Sequence, residues 1–257
     1  MLQLFGDSYP DDAGLDTGIS HALVLAVGEG RMPPSFRLHT TRRIVAFGRQ
    51  DRASPGYAAA VDAARELGYL PLERMAGGRA AVFHEGTLAF SWAVPASDPR
   101  AGITARFTAI SGFLADAFRD LGADARVGEL PGEYCPGAYS VNIAGASKVM
   151  GVGQRLVRGA AHVGGVIVVD GGRRIAEALS PVYRELGIPW EPTTAGDLRD
   201  HLPDLTIDAT ARAVIARLAA ACSLSVEELP GWLVDEGRRL APAHVATAGP
   251  DDVTSPV

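Results

Sequence analysis

Apolar and polar residues recur along the chain in patterns that predict both helices and strands. The clearest helical stretch is 103–121, where large apolar side chains recur every three or four residues and Gly122 follows as a stop. Its predicted buried face consists of Phe107, Ile110, Leu114, Phe118 and Leu121. Further helical patterns cover 13–29, 55–67 and 207–222. We expect another helix to begin at Ser180 and Pro181, because serine followed by proline is typical of a helix start.

Short apolar runs bounded by glycine, proline and polar residues predict the strands. They cover 36–40, 43–48, 70–75, 80–84, 87–94, 126–129, 139–143, 148–157 and 162–169. Together the elements predict an α+β fold with a mixed, largely antiparallel sheet flanked by helices. We divide the chain into a main domain (1–205), a helical C-terminal segment of the same domain (206–241) and a disordered tail (242–257) rich in Ala, Pro, Thr and Asp.

Composition narrows the class of protein. The 257 residues are 47% hydrophobic and 21% charged, which is typical of a globular enzyme. A net charge of -6 argues against a nucleic-acid partner. The first residues lack the features of a secretory signal, and apolar runs are too short to span a membrane, so we expect a cytoplasmic protein. Neither the two cysteines nor the six histidines have metal-ligand spacing, so no metal site is expected.

Lysine usage is unusual. Of the 24 basic residues, Lys148 is the single lysine and the others are arginines. A compact, titratable ammonium differs from a planar guanidinium, so Lys148 is a candidate for a position that arginine cannot fill. The alternative is a chance survivor of an arginine-rich composition, and composition alone does not decide between the two.

Cys135 is the candidate nucleophile. It lies in the segment PGEYCPG, where glycine and proline on both sides predict a loop with an accessible thiol. The alternative is a loop cysteine without a role. By contrast, Cys222 follows the apolar side of the predicted helix over 207–222, so we expect it only to pack.

Two glycine-containing stretches are candidates for ligand binding. The glycine pair Gly77 and Gly78, flanked by Arg74 and Arg79, can wrap an anion or a slender acyl chain, although a plain tight hairpin is the more frequent explanation of such a pair. Small residues after Lys148 allow a ligand to approach the strand backbone. The further candidates are Gly151, Gly153, Gln154 and the two strand histidines His84 and His162, for which an ordinary hydrogen-bonded histidine is the alternative.

Three stretches in this order, RMAGGRAAVFHEGTLAFS, EYCPGAYSVNIAG and KVMGVGQR, resemble the biotin/lipoate protein ligase and octanoyltransferase superfamily over about residues 10–222. The resemblance implies that residues 1–205 form a catalytic domain of the biotin/lipoate protein ligase type, in which the glycine stretch binds the acyl group and Lys148 is the essential lysine. Cys135 matches the loop cysteine that carries an acyl thioester in the cysteine-dependent branch. Relatives often have aspartate in place of Ser140, and arginine or asparagine in place of Met75.

The resemblance implies an acyltransferase without a tightly bound cofactor. Cys135 would accept an octanoyl or lipoyl group from an acyl carrier protein or an acylated protein, Lys148 would steady the carbonyl oxygen, and a lysine of a lipoyl domain or glycine-cleavage H protein would be the acceptor. The first alternative is an ATP- and magnesium-dependent lipoate–protein ligase that acts through an adenylate. The second is an acyl-binding module without catalysis.

Overall fold

The computed structural model describes residues 1–12 and 14–247, which form two sheets and the helices around them. The strands are β1 (Leu2–Phe5), β2 (Ser35–Thr40), β3 (Ile44–Phe47), β4 (Leu70–Glu73), β5 (Ala81–Phe83), β6 (Thr87–Pro95), β7 (Ala125–Val127), β8 (Val141–Ile143), β9 (Ser147–Val157), β10 (Ala160–Val168) and β11 (Leu224–Val226). The helices are α1 (Leu15–Gly28), α2 (Arg49–Arg52), α3 (Tyr57–Glu66), α4 (Ile103–Asp120), α5 (Gly172–Leu186), α6 (Ile207–Ala221) and α7 (Gly231–Leu240).

The large sheet has the strand order β11-β1-β2-β6-β10-β9-β8-β7. Its pairs are antiparallel except around β1, which runs parallel to both β11 and β2. The small sheet has the order β4-β3-β5, with β3 and β4 parallel. This arrangement confirms the predicted α+β class and its mixed, largely antiparallel sheet.

Side-chain alternation along β2 separates the two faces of the large sheet. Phe36 and Leu38 contribute to a core that includes residues of α4 and α6. Arg37 and His39 alternate with them and are buried on the opposite face. Helix α1 packs on that opposite face together with α7, while α3 and α5 pack against the small sheet. The candidate chemistry lies where the small sheet meets this face.

The start of α5 corrects the prediction made from Ser180 and Pro181. The helix begins at Gly172 and contains Pro181 in its interior. Its apolar face, which includes Ile175 and Leu179, is buried against the small-sheet core. Most helical stability comes from packing of such a face. This packing outweighs the local helix-start signal of serine and proline.

The C-terminal region also differs from the prediction. The patterns of apolar and polar residues do not predict strands β1 and β11 or helix α7 as separate elements. The predicted disordered tail was to begin at 242, but a 3-10 helix covers Ala241–His244, and the Ala246 amide donates to Pro71 O over 3.1 Å. Ala246 is fully buried, so this first part of the tail is packed on the small sheet. Residues 248–257 lie outside the described part of the chain.

The length and apolar character of a helix decide whether it can cross a membrane. Within residues 1–12 and 14–247, no helix combines the length and apolar character needed to cross a lipid bilayer.

Close packing of α1 on α7 depends on glycine, which gives a direct test. A Cβ at Gly18 would lie 2.2 Å from the carbonyl oxygen of Gly237, whereas a Cβ at Gly112 in α4 would meet no atom within 4 Å. We expect Gly18→Ala to lower the free energy of unfolding by about 1–3 kcal/mol through overpacking. The matched Gly112→Ala should raise it by about 0.5–1 kcal/mol. Urea unfolding followed by tryptophan fluorescence measures both, and equal effects would contradict this packing.

Candidate active site

The loop that carries Cys135 joins β7 to β8 and is here called the cysteine loop (residues 130–140). Cys135 has a φ of 42°, a left-handed conformation that is uncommon outside glycine. Its backbone N–H donates to the Tyr183 hydroxyl over 2.8 Å, and that hydroxyl donates to Ala80 O over 3.0 Å. The unusual backbone conformation of Cys135 is therefore supported from α5.

Glu133 ties the cysteine loop together from inside. Its side chain is fully buried, and its two carboxylate oxygens accept hydrogen bonds from four groups. The donors are Leu130 N at 3.0 Å, Gly137 N at 3.2 Å, Ser140 Oγ at 2.6 Å and Lys148 Nζ at 2.9 Å. A carboxylate held in this way fixes both ends of the loop relative to the strand that carries Lys148.

The Lys148 ammonium is surrounded by oxygen acceptors of the cysteine loop. Its Nζ donates to Glu133 Oε1 at 2.9 Å, Tyr134 O at 2.8 Å and Cys135 O at 2.9 Å, and it lies 4.7 Å from the centre of the Tyr134 ring. Lysine has three N–H donors, so all of them are used here. A planar guanidinium does not match this compact set of acceptors, which gives a physical reason for lysine at this position.

The thiol itself is half-buried and is held by a different pair of donors. Arg74 Nη2 donates to Cys135 Sγ over 3.1 Å, and the backbone N–H of Arg79 donates to it over 3.3 Å. The thiol is thus partly covered by the glycine stretch. Lys148 contacts the carbonyl oxygen of Cys135 rather than its sulfur.

These contacts favour the thiolate. Burial raises the pKa of Cys135, but the charge of Arg74, the charge of Lys148 and the Arg79 amide act against burial and bring the pKa below its ordinary value. A lower pKa increases the thiolate fraction near neutral pH, and the thiolate is the nucleophilic form.

Glycines allow the chain to approach this closely. A Cβ at Gly78, whose φ is 103°, would lie 2.1 Å from Arg74 Nη2 and 2.8 Å from Cys135 Sγ. A Cβ at Gly153 in β9 would lie 2.8 Å from the Cβ of Ala76. The glycine turn (residues 76–79) therefore lies directly on β9, with the thiol against Gly78.

A cavity of about 110 Å³ lies between the large and small sheets and is here called the inner cavity. Much of its lining is apolar, and Arg74, Met75 and Ala76 form part of its wall. Its polar lining consists of Asp16, Thr17, Ser20, His39, Thr41, Arg74, Ser91 and His162. Because Arg74 also contacts Cys135 Sγ, the cavity extends to the immediate neighbourhood of the thiol.

The two histidines of the inner cavity are held neutral at pH 7. Burial and then the charge of Arg37 lower the pKa of His39 to about 4, and burial and then the charge of His21 lower the pKa of His162 to about 4. His162 Nδ1 lies 3.1 Å from Ser91 Oγ. His162 therefore lines the inner cavity as a neutral imidazole.

A second space, here called the outer groove, lies directly beside the thiol and has a volume of about 510 Å³. Cys135, Gly77, Gly78 and Gly153 line it together with the stacked rings of Phe107 and Tyr139, whose centres are 4.9 Å apart. None of its lining residues, all within the described chain, carries a charge. The thiol thus lines the uncharged outer groove and contacts Arg74, which lines the inner cavity.

Several predicted residues lie elsewhere or serve another purpose. His84 lines neither space; its Nδ1 accepts from Gly86 N over 3.0 Å in the β5–β6 turn. Gln154 lines the outer groove, but its side chain is bonded to Arg106 Nε at 2.9 Å and Ile103 O at 2.8 Å, which holds the start of α4. Gly151 lies beside the stem of Lys148. The predicted packing of Cys222 is wrong, since this residue is exposed at the end of α6.

Sequence reasoning missed three residues of the site. Glu133 was detectable as a carboxylate two positions before the cysteine, and Ser140 was noted only as a departure from relatives. Tyr183 is distant in sequence and gives no local signal. Among the described residues, no three His, Cys, Asp or Glu side chains are grouped as metal ligands.

The thiolate contacts predict a measurable titration. In a Cys222→Ser background, we expect the rate of alkylation of Cys135 by iodoacetamide to rise with pH at a midpoint below that of a free cysteine. Arg74→Gln removes the positive charge beside the sulfur, so its midpoint should move to higher pH. Arg42→Gln, at an exposed position, is the control. An Arg74→Gln midpoint equal to that of the parent would contradict this electrostatic assignment.

The buried ion pair predicts a second result. Lys148→Met leaves the Glu133 carboxylate buried without its cation, so we expect the free energy of unfolding to fall by about 3–5 kcal/mol. The double variant Glu133→Gln/Lys148→Met carries no unpaired charge and should lose less than Lys148→Met alone. Urea unfolding of the variants measures this, and a double variant less stable than Lys148→Met would contradict the pairing.

Comparisons with known proteins agree with the fold. The family model "Lipoyl protein ligase A/B catalytic domain" matches residues 14–219. An octanoyl-[GcvH]:protein N-octanoyltransferase of Geobacillus kaustophilus is 31% identical over 85% of this chain and 74% of its own length. A lipoyl-[GcvH]:protein N-lipoyltransferase of Listeria monocytogenes is 27% identical over 58% of this chain and 53% of its own.

A solved structure gives the likeness in fold. Lipoate-protein ligase A bound with ATP superposes with a TM-score of 0.75 over 93% of this chain and 94% of that chain, at 20% identity. These matches confirm the resemblance stated from the sequence and the predicted fold class. The chain belongs to the lipoyl protein ligase A/B catalytic-domain family.

Proposed function

We propose that this protein is an acyltransferase that moves an octanoyl or lipoyl group through a thioester on Cys135 to a lysine ε-amine of a lipoyl-domain protein or a glycine-cleavage H protein. One observation carries the proposal: a thiol with a lowered pKa lines an uncharged groove and contacts Arg74, which lines a second, largely apolar cavity. An acyl chain fits the inner cavity, and the arm that delivers or receives it fits the outer groove.

The transfer takes two steps. The Cys135 thiolate attacks the carbonyl carbon of the donor, a carbon–sulfur bond forms, and the donor sulfur or nitrogen leaves and takes up a proton. The acceptor amine then attacks the same carbon, a carbon–nitrogen bond forms, and the thiolate leaves while the amine loses a proton to solvent. Dividing one difficult transfer in this way is what nucleophilic catalysis provides.

The names of the relatives support a protein-bound donor. Both the octanoyl and the lipoyl relative are named for transfer that involves the glycine-cleavage H protein. We extend this partner to the present chain, with octanoyl-acyl carrier protein as the other donor to be tested. The outer groove suits either source, since both would present the acyl group at the end of a slender arm.

The ATP-dependent ligase is the second candidate, because a ligase of similar fold was solved with ATP. Two features disfavour it here. The outer groove has no basic lining residue for phosphates, and all three donors of Lys148 are already bonded. A module without catalysis is disfavoured by the hydrogen bonds that favour the Cys135 thiolate.

The test offers purified protein a lipoyl-domain acceptor and one acyl source at a time: octanoyl-H protein, octanoyl-acyl carrier protein, or free octanoate with ATP and magnesium. We expect modification of the acceptor from a protein-bound source without ATP, together with a hydroxylamine-labile octanoyl adduct on Cys135. Intact mass spectrometry of both proteins measures the two products.

Two variants make the test specific. Cys135→Ala should abolish the adduct and the transfer, whereas Cys222→Ala, which lies outside both spaces, should keep both. Transfer that needs ATP and survives Cys135→Ala would replace the transferase with a ligase. Binding of octanoate without any transfer would instead leave the acyl-binding module.

A further inference from the structure

The proposed function leaves open which side chain receives the carbonyl oxygen as it becomes negatively charged. Lys148 was the expected group, but its ammonium is 1% exposed and donates to three oxygens of the cysteine loop. Moving it toward a substrate would leave the Glu133 carboxylate buried without its cation, which is strongly unfavourable. Another donor must therefore meet the oxygen.

Arg74 has the position and the free donors for this role. Its Nη2 lies 3.1 Å from Cys135 Sγ, and the residue lines the inner cavity that would hold the acyl chain. Its Nε is buried and has no hydrogen-bond partner among the described residues. No carboxylate of the described chain forms an ion pair with it, whereas the nearby Arg79 pairs with Asp51 at 3.4 Å. The Arg74 guanidinium thus contacts the sulfur without an ion pair to any carboxylate of the described chain.

We propose that Arg74 is the catalytic residue that binds the acyl carbonyl oxygen, and that Lys148, held by Glu133, is a positioning residue for the cysteine loop. This proposal rests on the thioester chemistry of the proposed function. In a thioester on Cys135, the carbonyl oxygen is attached to the carbon bonded to Sγ, so a guanidinium already in contact with that sulfur is within reach of the oxygen.

The guanidinium then follows the negative charge through the reaction. It contacts the thiolate before attack, and when the carbon–sulfur bond forms, the charge moves to the carbonyl oxygen and the freed N–H groups donate there. The Arg79 backbone N–H, at 3.3 Å from Sγ, is placed to assist. When the carbonyl re-forms, the leaving sulfur or nitrogen takes the charge and a proton. Donors aimed at developing charge supply much of the rate in acyl transfer.

The test measures single-turnover acylation of Cys135 by octanoyl-acyl carrier protein, with intact mass as the readout. Arg74→Ala is compared with the parent at a pH where iodoacetamide alkylation shows the thiol of each protein to be fully ionised, so that the loss does not reflect thiolate formation. We expect a rate about 10²–10³-fold lower. Added guanidinium ion at non-denaturing concentration should restore part of the rate, and the same concentration of urea should not.

Controls separate this role from a structural one. Arg42→Ala, at an exposed position outside both spaces, should acylate at the parental rate and show no stimulation by guanidinium. Arg74→Lys keeps the positive charge but lacks the planar guanidinium, and it replaces Arg74→Ala in the test if that variant does not fold. Its acylation rate should also be lower than the parental rate when the thiol is ionised. An unchanged rate in either Arg74 variant, or an Arg74→Ala that folds but is not rescued, overturns the assignment. Absence of any adduct on parental Cys135 would instead refute the proposed function.

Discussion

The site depends on one buried ion pair, between Glu133 and Lys148. Burying two charges costs more than their attraction returns unless their remaining hydrogen-bonding groups are also satisfied. Here the carboxylate accepts four hydrogen bonds and the ammonium donates three. Two of the ammonium's acceptors are the carbonyls of Tyr134 and Cys135, so the pair fixes the loop backbone at the nucleophile. The left-handed conformation of Cys135 persists because this network and Tyr183 hold it on both sides.

A second feature is which positive charges of the site form ion pairs with carboxylates. Lys148 is matched by Glu133 and Arg79 by Asp51, whose pKa is raised by burial although Gly48 N–H and the charges of Arg74 and Arg79 oppose this. Arg74 forms no ion pair with a carboxylate of the described residues, and its guanidinium contacts the thiol. A cation in direct contact with a half-buried sulfur favours the thiolate, because an opposite charge at this distance stabilises the ionised form.

The two-sheet architecture explains why the thiol has two different surroundings. The inner cavity lies where the small sheet meets the face of the large sheet that carries His39, Ser91 and His162. The cysteine loop and the start of α4 form part of the wall of the outer groove. Glycines at 78 and 153 let the glycine turn lie flat between the two spaces, because a Cβ at either would collide with an atom of the site. The site can therefore hold an acyl chain in the inner cavity and the arm of a donor or acceptor in the outer groove.

The sequence by itself determined the α+β class, most element positions, the cysteine loop and the two residues Cys135 and Lys148, because periodicity, glycine and proline placement and residue rarity are local properties. Only the tertiary structure decided what each residue contacts. In it, Lys148 donates to the cysteine loop and Arg74 contacts the sulfur. His84 lies in the β5–β6 turn, outside the inner cavity and the outer groove, and α5 runs through Pro181. Such contacts join residues far apart in the chain, such as Tyr183 and Cys135, and their partners are set by packing of whole elements, which no local pattern encodes.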